Sequence, residues 1–242
     1  MFEWHPNPST LKQIDRNTSR LIDNFDIYLT KFNAAFARDE TFGGPSLYFH
    51  FQCISQFAGL SIEAKLQNDR FIEYIYAVLV SWGMHRMGNT ATKLRSFREF
   101  KHEILSQKIH IQDLSRFKIW ELSQSDLSKA QPILRQVLDS MKTSKSEAHL
   151  VANTKVLHHL LPDLVPPIDR YYTLRYFGIN TMLPSSKSAG SIFKYLFPAF
   201  VKISATLRDK INKAVNLSNE DWNTSFTKVI DNAIIGASPN NS

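Results

Sequence analysis

The chain has 242 residues, 43% of them hydrophobic and 21% charged, with a net charge of +7. These are ordinary proportions for a globular protein long enough to bury a sizeable core. Its most apolar run, YIYAVLVSWGM at 74–84, falls well short of the roughly 20 residues of a membrane-spanning helix, so no membrane partner is expected.

Charge is distributed unevenly. Residues 1–80 carry seven Lys and Arg against nine Asp and Glu, whereas residues 81–242 carry 22 against 13. A basic remainder joined to a near-neutral first third is the footprint of a polyanion binder, with DNA the expected partner and RNA the alternative. The N-terminus has no charged-then-apolar leader pattern, and Cys53 is the only cysteine. Both fit a reducing, cytoplasmic location.

Apolar residues recur at helical spacing almost throughout. Leu11, Ile14, Leu21, Ile22, Phe25, Tyr28, Leu29, Phe32 and Phe36 predict one long first helix, capped by Ser9 or Thr10 and ended by FGGP at 42–45. A second helix follows Pro45 and stops at Gly59. DRFIEYIYAVLVSWGMHR (69–86), apolar on nearly all sides, predicts the buried central helix. NTATKLRSFREFKHEILSQ (89–107) predicts a basic amphipathic helix capped by Asn89 or Thr90.

Further helices are expected at 113–122, 129–142, 147–161, 170–178, 188–213 and 219–236, separated in part by Pro162, Pro166, Pro167 and Pro184. No alternating strand pattern, hairpin signal or internal repeat occurs. The expected fold class is all-α, one unit over 1–236 of two lobes at most. Residue 88 is the candidate lobe boundary, and 237–242 is expected to form a disordered tail.

Two stretches can carry chemistry. In SWGMHRMG (81–88), Gly83 and Gly88 bracket His85 and Arg86 at a helix end. Amides there, with Arg86 and Lys93, suit a phosphate, and Arg95 and Arg98 extend the charge. Trp82 offers a ring for stacking a base. In VANTKVLHHLLPDLVPPIDRYYTLRYFG (151–178), two prolines force an extended approach to Asp169, which stands where an N-cap belongs. One reading makes Asp169 only that cap and Lys155 an exposed lysine. The other pairs Lys155 as an amine nucleophile with Asp169 as its carboxylate.

His158 and His159 are about 100° apart on a helix and do not readily chelate one ion. No HExxH, Walker, GxSxG or dinucleotide fingerprint is present. Neither a metal nor another cofactor is therefore expected. One of the two histidines shares a helix face with Lys155.

NTKVLHHLL and VPPIDRYYTLRYFG together resemble the core of the helix-hairpin-helix DNA glycosylase superfamily, in which a catalytic lysine precedes a proline-containing turn that delivers an aspartate to a helix start. SWGMHRMG and PPIDRYYT also look like a poorly described bacterial family that pairs a Ser-Trp-Gly-Met-x-Arg-Gly-like motif with a Pro-x-x-Asp-Arg-Tyr one. The first resemblance implies a glycosylase-like helical fold and a base-excising enzyme acting on damaged or modified bases. Lys155 and Asp169 would be catalytic in it. Arg86, Lys93, Arg95, Arg98 and Arg170 would contact phosphates, Tyr171 or Trp82 would hold an extruded base, and His85, His158 and His159 would be further nucleic-acid contacts. The alternatives are a non-catalytic nucleic-acid-binding helical protein and a protein-interaction module.

Overall fold

The computed structural model describes residues 3–36, 44–84, 94–145, 149–180, 189–216 and 221–238. Twelve α-helices and several short turns account for most of these, and the one β-type contact is an isolated bridge between Leu94 and Ser144. The fold is all-α. No helix among the described residues is long and apolar enough to cross a membrane.

Capping chemistry sets the boundaries and corrects several expected ones. The long first helix is two, α1 (Pro8–Asp23) and α2 (Phe25–Phe36), separated at Asn24, whose φ of −115° and ψ of 18° are not helical. The cap is Asn7, which accepts from the amide of Thr10 at 2.8 Å, rather than Ser9 or Thr10. After α3 (Pro45–Ser55) and α4 (Ile62–Gln67), α5 (Asp69–Leu79) runs into a wide turn over Val80–Met84. Gly83 turns there at φ 75°.

The basic helix begins later than expected. Ser96 and Glu99 form a capping box that starts α6 (Phe97–Ser106), and the proposed caps Asn89 and Thr90 lie outside the described residues. The helix expected over 113–122 is instead α7 (Lys108–Leu114) followed by a single 3-10 turn, Ile119–Glu121. A second capping box, Ser123 with Asp126, starts α8 (Gln124–Ser140) several residues early.

Then come α9 (His149–Leu160), a wide turn over Arg170–Leu174, α10 (Ala189–Thr206), α11 (Arg208–Ala214) and α12 (Phe226–Gly236). The helix expected over 188–213 breaks at Leu207, and Ser225 rather than residue 219 opens the last one.

The centre of the molecule also differs from the sequence expectation. α5 leaves Arg70 and Glu73 exposed, whereas every residue of α9 except Val151 and Lys155 is buried. In α12 all eleven residues are buried. α9 packs against α3, α5, α8 and α10, and α12 lies along α2. That last approach needs Gly236, because a Cβ there would collide with the backbone carbonyl of Tyr28.

One cluster of buried side chains runs from Ile14 to Ile234 and draws on both sides of residue 88, itself outside the described residues. Phe71, Phe100, Phe177, Phe193, Phe197 and Phe200 fill it, each fully buried and each stabilising the fold by roughly 1.5–3 kcal/mol. Of the tail, Ala237 and Ser238 are placed directly after α12, and 239–242 lie outside the described residues.

Candidate active site

The turn that carries Asp169 is built by local chemistry. Pro166 and Pro167 hold the chain extended, and the amide of Ile168 donates to the Thr154 hydroxyl at 3.2 Å. This bond ties the approach strand to α9 beside Lys155. The Asp169 amide donates to Thr173 Oγ1 at 3.0 Å, and the Leu174 amide donates to the Asp169 carbonyl at 3.0 Å.

Asp169 then divides its carboxylate between two tasks. Oδ1 accepts from the amides of Tyr171 and Tyr172, at 2.7 and 3.3 Å, as an N-cap. Oδ2 lies 3.6 Å from Lys155 Nζ. The cap and the lysine pairing expected as alternatives coexist in one side chain. Lys155 is not the exposed lysine of the structural reading: only 12% of its side chain is accessible. Burial pulls its amine below the ordinary lysine range, against the opposing pull of Asp169 and Asp231.

Lys155 and Asp169 line a cavity of about 260 Å³, walled by Trp82, Tyr172 and Trp222. α12 contributes a second ion pair to it: Lys228 Nζ lies 2.6 Å from Asp231 Oδ2, both side chains 6% accessible. Burial raises the Asp231 carboxyl above its usual range. Trp82 stands between the pairs, with Lys155 Nζ 5.1 Å and Lys228 Nζ 5.9 Å from its ring centre, and Lys228 also lies 5.2 Å from that of Trp222. Asn232 Nδ2 donates to the Trp222 carbonyl at 3.0 Å and fixes the second indole. Two ammonium groups thus face two carboxylates among aromatic walls, with no net charge. Each ion has a partner, which keeps such burial tolerable.

A chain of histidines stands behind the cavity. His159 Nδ1 donates to the Lys155 carbonyl at 2.7 Å, so its Nε2 accepts from His50 Nδ1 at 3.0 Å. His50 Nε2 in turn accepts from the Thr224 hydroxyl at 2.6 Å. His158 donates through Nδ1 to the Val165 carbonyl at 3.1 Å and stacks on His50. All three rings are fully buried. Burial holds His50 and His158 well below the ordinary histidine range and brings His159 down to about 4, so the rings are neutral at pH 7.

The predicted site residues therefore separate. Lys155, Asp169 and Trp82 converge on the cavity, and Arg170 and Tyr171 are exposed just beyond the Asp169 cap. His158 and His159 are corrected from nucleic-acid contacts to buried supports, because no ligand strand reaches a ring with no accessible surface. The shared face with Lys155 belongs to His159.

His85, Arg86 and Lys93 lie outside the described residues. Arg95 is half-buried with Glu99 3.7 Å away. Arg98 is exposed on α6, whose Lys101 pairs with Asp69 at the start of α5. Trp82 follows the other end of α5, thirteen residues on, or roughly 20 Å at helical rise.

Tyr172, Trp222, Lys228 and Asp231 are the cavity residues that the sequence reading passed over. The available signal was the pair of opposite charges three residues apart inside the otherwise apolar FTKVIDNAIIG. Comparison with family models, with curated proteins and with solved structures found no match to this chain.

Proposed function

We propose that the cavity is the active site of a DNA base-excising enzyme of glycosylase/lyase type, with Lys155 as nucleophile and Asp169 as its carboxylate partner. The observation that carries this reading is the 3.6 Å approach of Lys155 Nζ to Asp169 Oδ2 on the wall of an aromatic cavity. The helical order is consistent with the helix-hairpin-helix glycosylase resemblance: a lysine on α9, a double-proline turn, then an aspartate at a helical start. SEAHLVANTK (146–155) lacks glycine, so a glycine hairpin is not part of the proposal.

In this chemistry an extruded base stacks among Trp82, Tyr172 and Trp222. Lys155, as the free amine, attacks C1′ while the glycosidic C–N bond breaks. The base leaves with the bonding pair and takes a proton from water. Asp169 stabilises the positive charge that develops on the sugar, then accepts the proton lost by the attacking amine. The amine lone pair expels O4′, which takes the proton back from Asp169, and leaves a protonated Schiff base that water hydrolyses. A lysine pulled below its ordinary range by burial reaches the free-amine form at smaller free-energy cost than an exposed one. A cavity of balanced charge accommodates a neutral base, and its carboxylates oppose the sugar cation only in the transition state.

Borohydride trapping on DNA containing abasic sites and a panel of damaged bases tests the reading. A covalent protein–DNA adduct that disappears in Lys155→Gln is the expected result. Absence of both adduct and base release across the panel rejects it.

A further inference from the structure

A second concavity, of about 490 Å³, adjoins the first and shares Tyr172 as a wall. Arg16 and Arg20 reach it from consecutive turns of α1, and Arg175 from the segment after Asp169. Among the described residues no Asp or Glu lines it, and the arginine ion pairs involve Arg95, Arg135 and Arg208 instead. Three exposed arginines thus line one concavity with no described carboxylate beside them.

The groove is also braced. Asn17 Nδ2 donates to the Tyr176 carbonyl, and the Tyr176 hydroxyl donates back to the Asn17 carbonyl at 2.9 Å. These reciprocal bonds clamp α1 to the segment carrying Arg175 and so hold the arginines at a set separation. Arg20 is oriented further by its Nε–H, which donates to the Tyr28 hydroxyl at 2.9 Å. Tyr171, 72% exposed, stands at the rim.

We infer that this groove, and not the basic face of α6, holds the sugar–phosphate backbone of the strand whose base enters the neighbouring cavity; the inference rests on the excision reading. The division is chemical. The cavity already balances its own lysines with carboxylates and offers nothing net to an anion. Across Tyr172, planar forks match phosphate oxygens two at a time. A nucleotide straddling Tyr172 would place its base on one side and a phosphate on the other.

The full chain is titrated by fluorescence anisotropy with a fluorescein-labelled oligonucleotide, single-stranded and duplex, over a range of salt. Combined Arg16→Gln and Arg175→Gln should weaken binding about 10-fold or more and reduce the log–log salt slope by about two, near 0.9 for each phosphate no longer neutralised. Lys155→Gln should retain most of the slope, and Arg98→Gln should stay within about twofold of wild type. Thermal melting accompanies each variant, and the exposure of both arginines predicts little change.

An unaltered slope in the double glutamine variant overturns the inference, as does a wild type that binds no oligonucleotide. Base release is scored in the same samples. Arginine-dependent binding without base release keeps the groove as a strand-binding site and removes the excision reading. Base release with arginine-independent binding does the reverse.

Discussion

The cavity and the groove share Tyr172 as a wall and treat charge in opposite ways. In the cavity, Lys155 and Lys228 are each matched by an aspartate and confined among indoles. In the groove, Arg16, Arg20 and Arg175 face solvent with no carboxylate among the described residues of the lining. A buried ion without a partner is strongly destabilising, so a core site acquires cations and anions together. An exposed site has no such requirement, because water solvates each arginine until an anion replaces it. Net charge alone, +7 for the whole chain, conceals this difference. Paired charges thus mark the buried cavity and unpaired ones the exposed groove.

Several substitutions would break or sharpen that contrast. The largest expected effect is in the cavity, where Lys155→Gln should abolish any borohydride-trapped adduct while helix content by circular dichroism is retained. Glutamine is itself a good helix former. An adduct that persists would move the nucleophile elsewhere, with Lys228 the next amine to replace.

Asp169→Asn should lower base release by on the order of 10²–10³-fold, the scale set by losing one oriented electrostatic group at a developing charge. Asparagine retains an oxygen for the Tyr171 and Tyr172 amides, so the cap persists, and any fall in melting temperature reports the Lys155 ammonium left without its carboxylate. If melting collapses while turnover per folded molecule is unchanged, the pairing with Lys155 is structural.

A third measurement probes the support behind the cavity. Folded His159 titrates at about 4 against 6.5 ordinarily, so from about 6.5 down to 4 the unfolded chain takes up a proton that the folded chain refuses. Stability is therefore full above the upper limit and declines as pH falls through this window. The loss should be on the order of 3 kcal/mol for this ring, with His50 and His158 acting in the same direction. Denaturant unfolding between pH 7 and pH 4 measures it, and a flat profile would contradict the neutral histidine chain.

Gly236→Ala should destabilise the fold by roughly 1–3 kcal/mol through its collision with the Tyr28 carbonyl, read as a lower melting temperature. The displaced helix carries Lys228, Asp231 and Ile235 of the cavity and runs into Ala237 and Ser238 of the groove, so both regions should be disturbed together. A loss of base release with an unchanged arginine-dependent salt slope in the folded variant would show that the two regions are mechanically separate.

Legibility in the sequence follows the range of the interaction. Asp169 stands out because two prolines and a helix start are neighbours in the chain, and the turn from Pro166 to Gly178 forms much as its residues dictate. Leu174 and Phe177 are buried, and Gly178 closes it at φ 73°. Lys155 is legible as a member of the same segment. Lys228, Asp231 and Trp222 reach the cavity only because α12 lies against α2 through Gly236, an approach between segments about 200 residues apart that no local pattern encodes. The groove escaped for the same reason: Arg16 and Arg20 belong to the acidic first third, whose charge balance points away from anion binding. The breaks at Asn24 and Leu207 fall inside continuous apolar periodicity, and neither glycine nor proline marks them.

The hydrogen bonds from Thr224 through His50 and His159 to the Lys155 carbonyl all run in one direction. Such a row is a strut and not a relay. To carry a proton toward Lys155, both imidazoles would have to exchange the nitrogen that bears hydrogen. The last ring would then present a lone pair to a carbonyl oxygen and surrender the bond that holds the helix backbone. The row therefore transmits position, setting where the backbone of Lys155 sits, and any proton that reaches or leaves the Lys155 amine has to pass through the open side of the cavity.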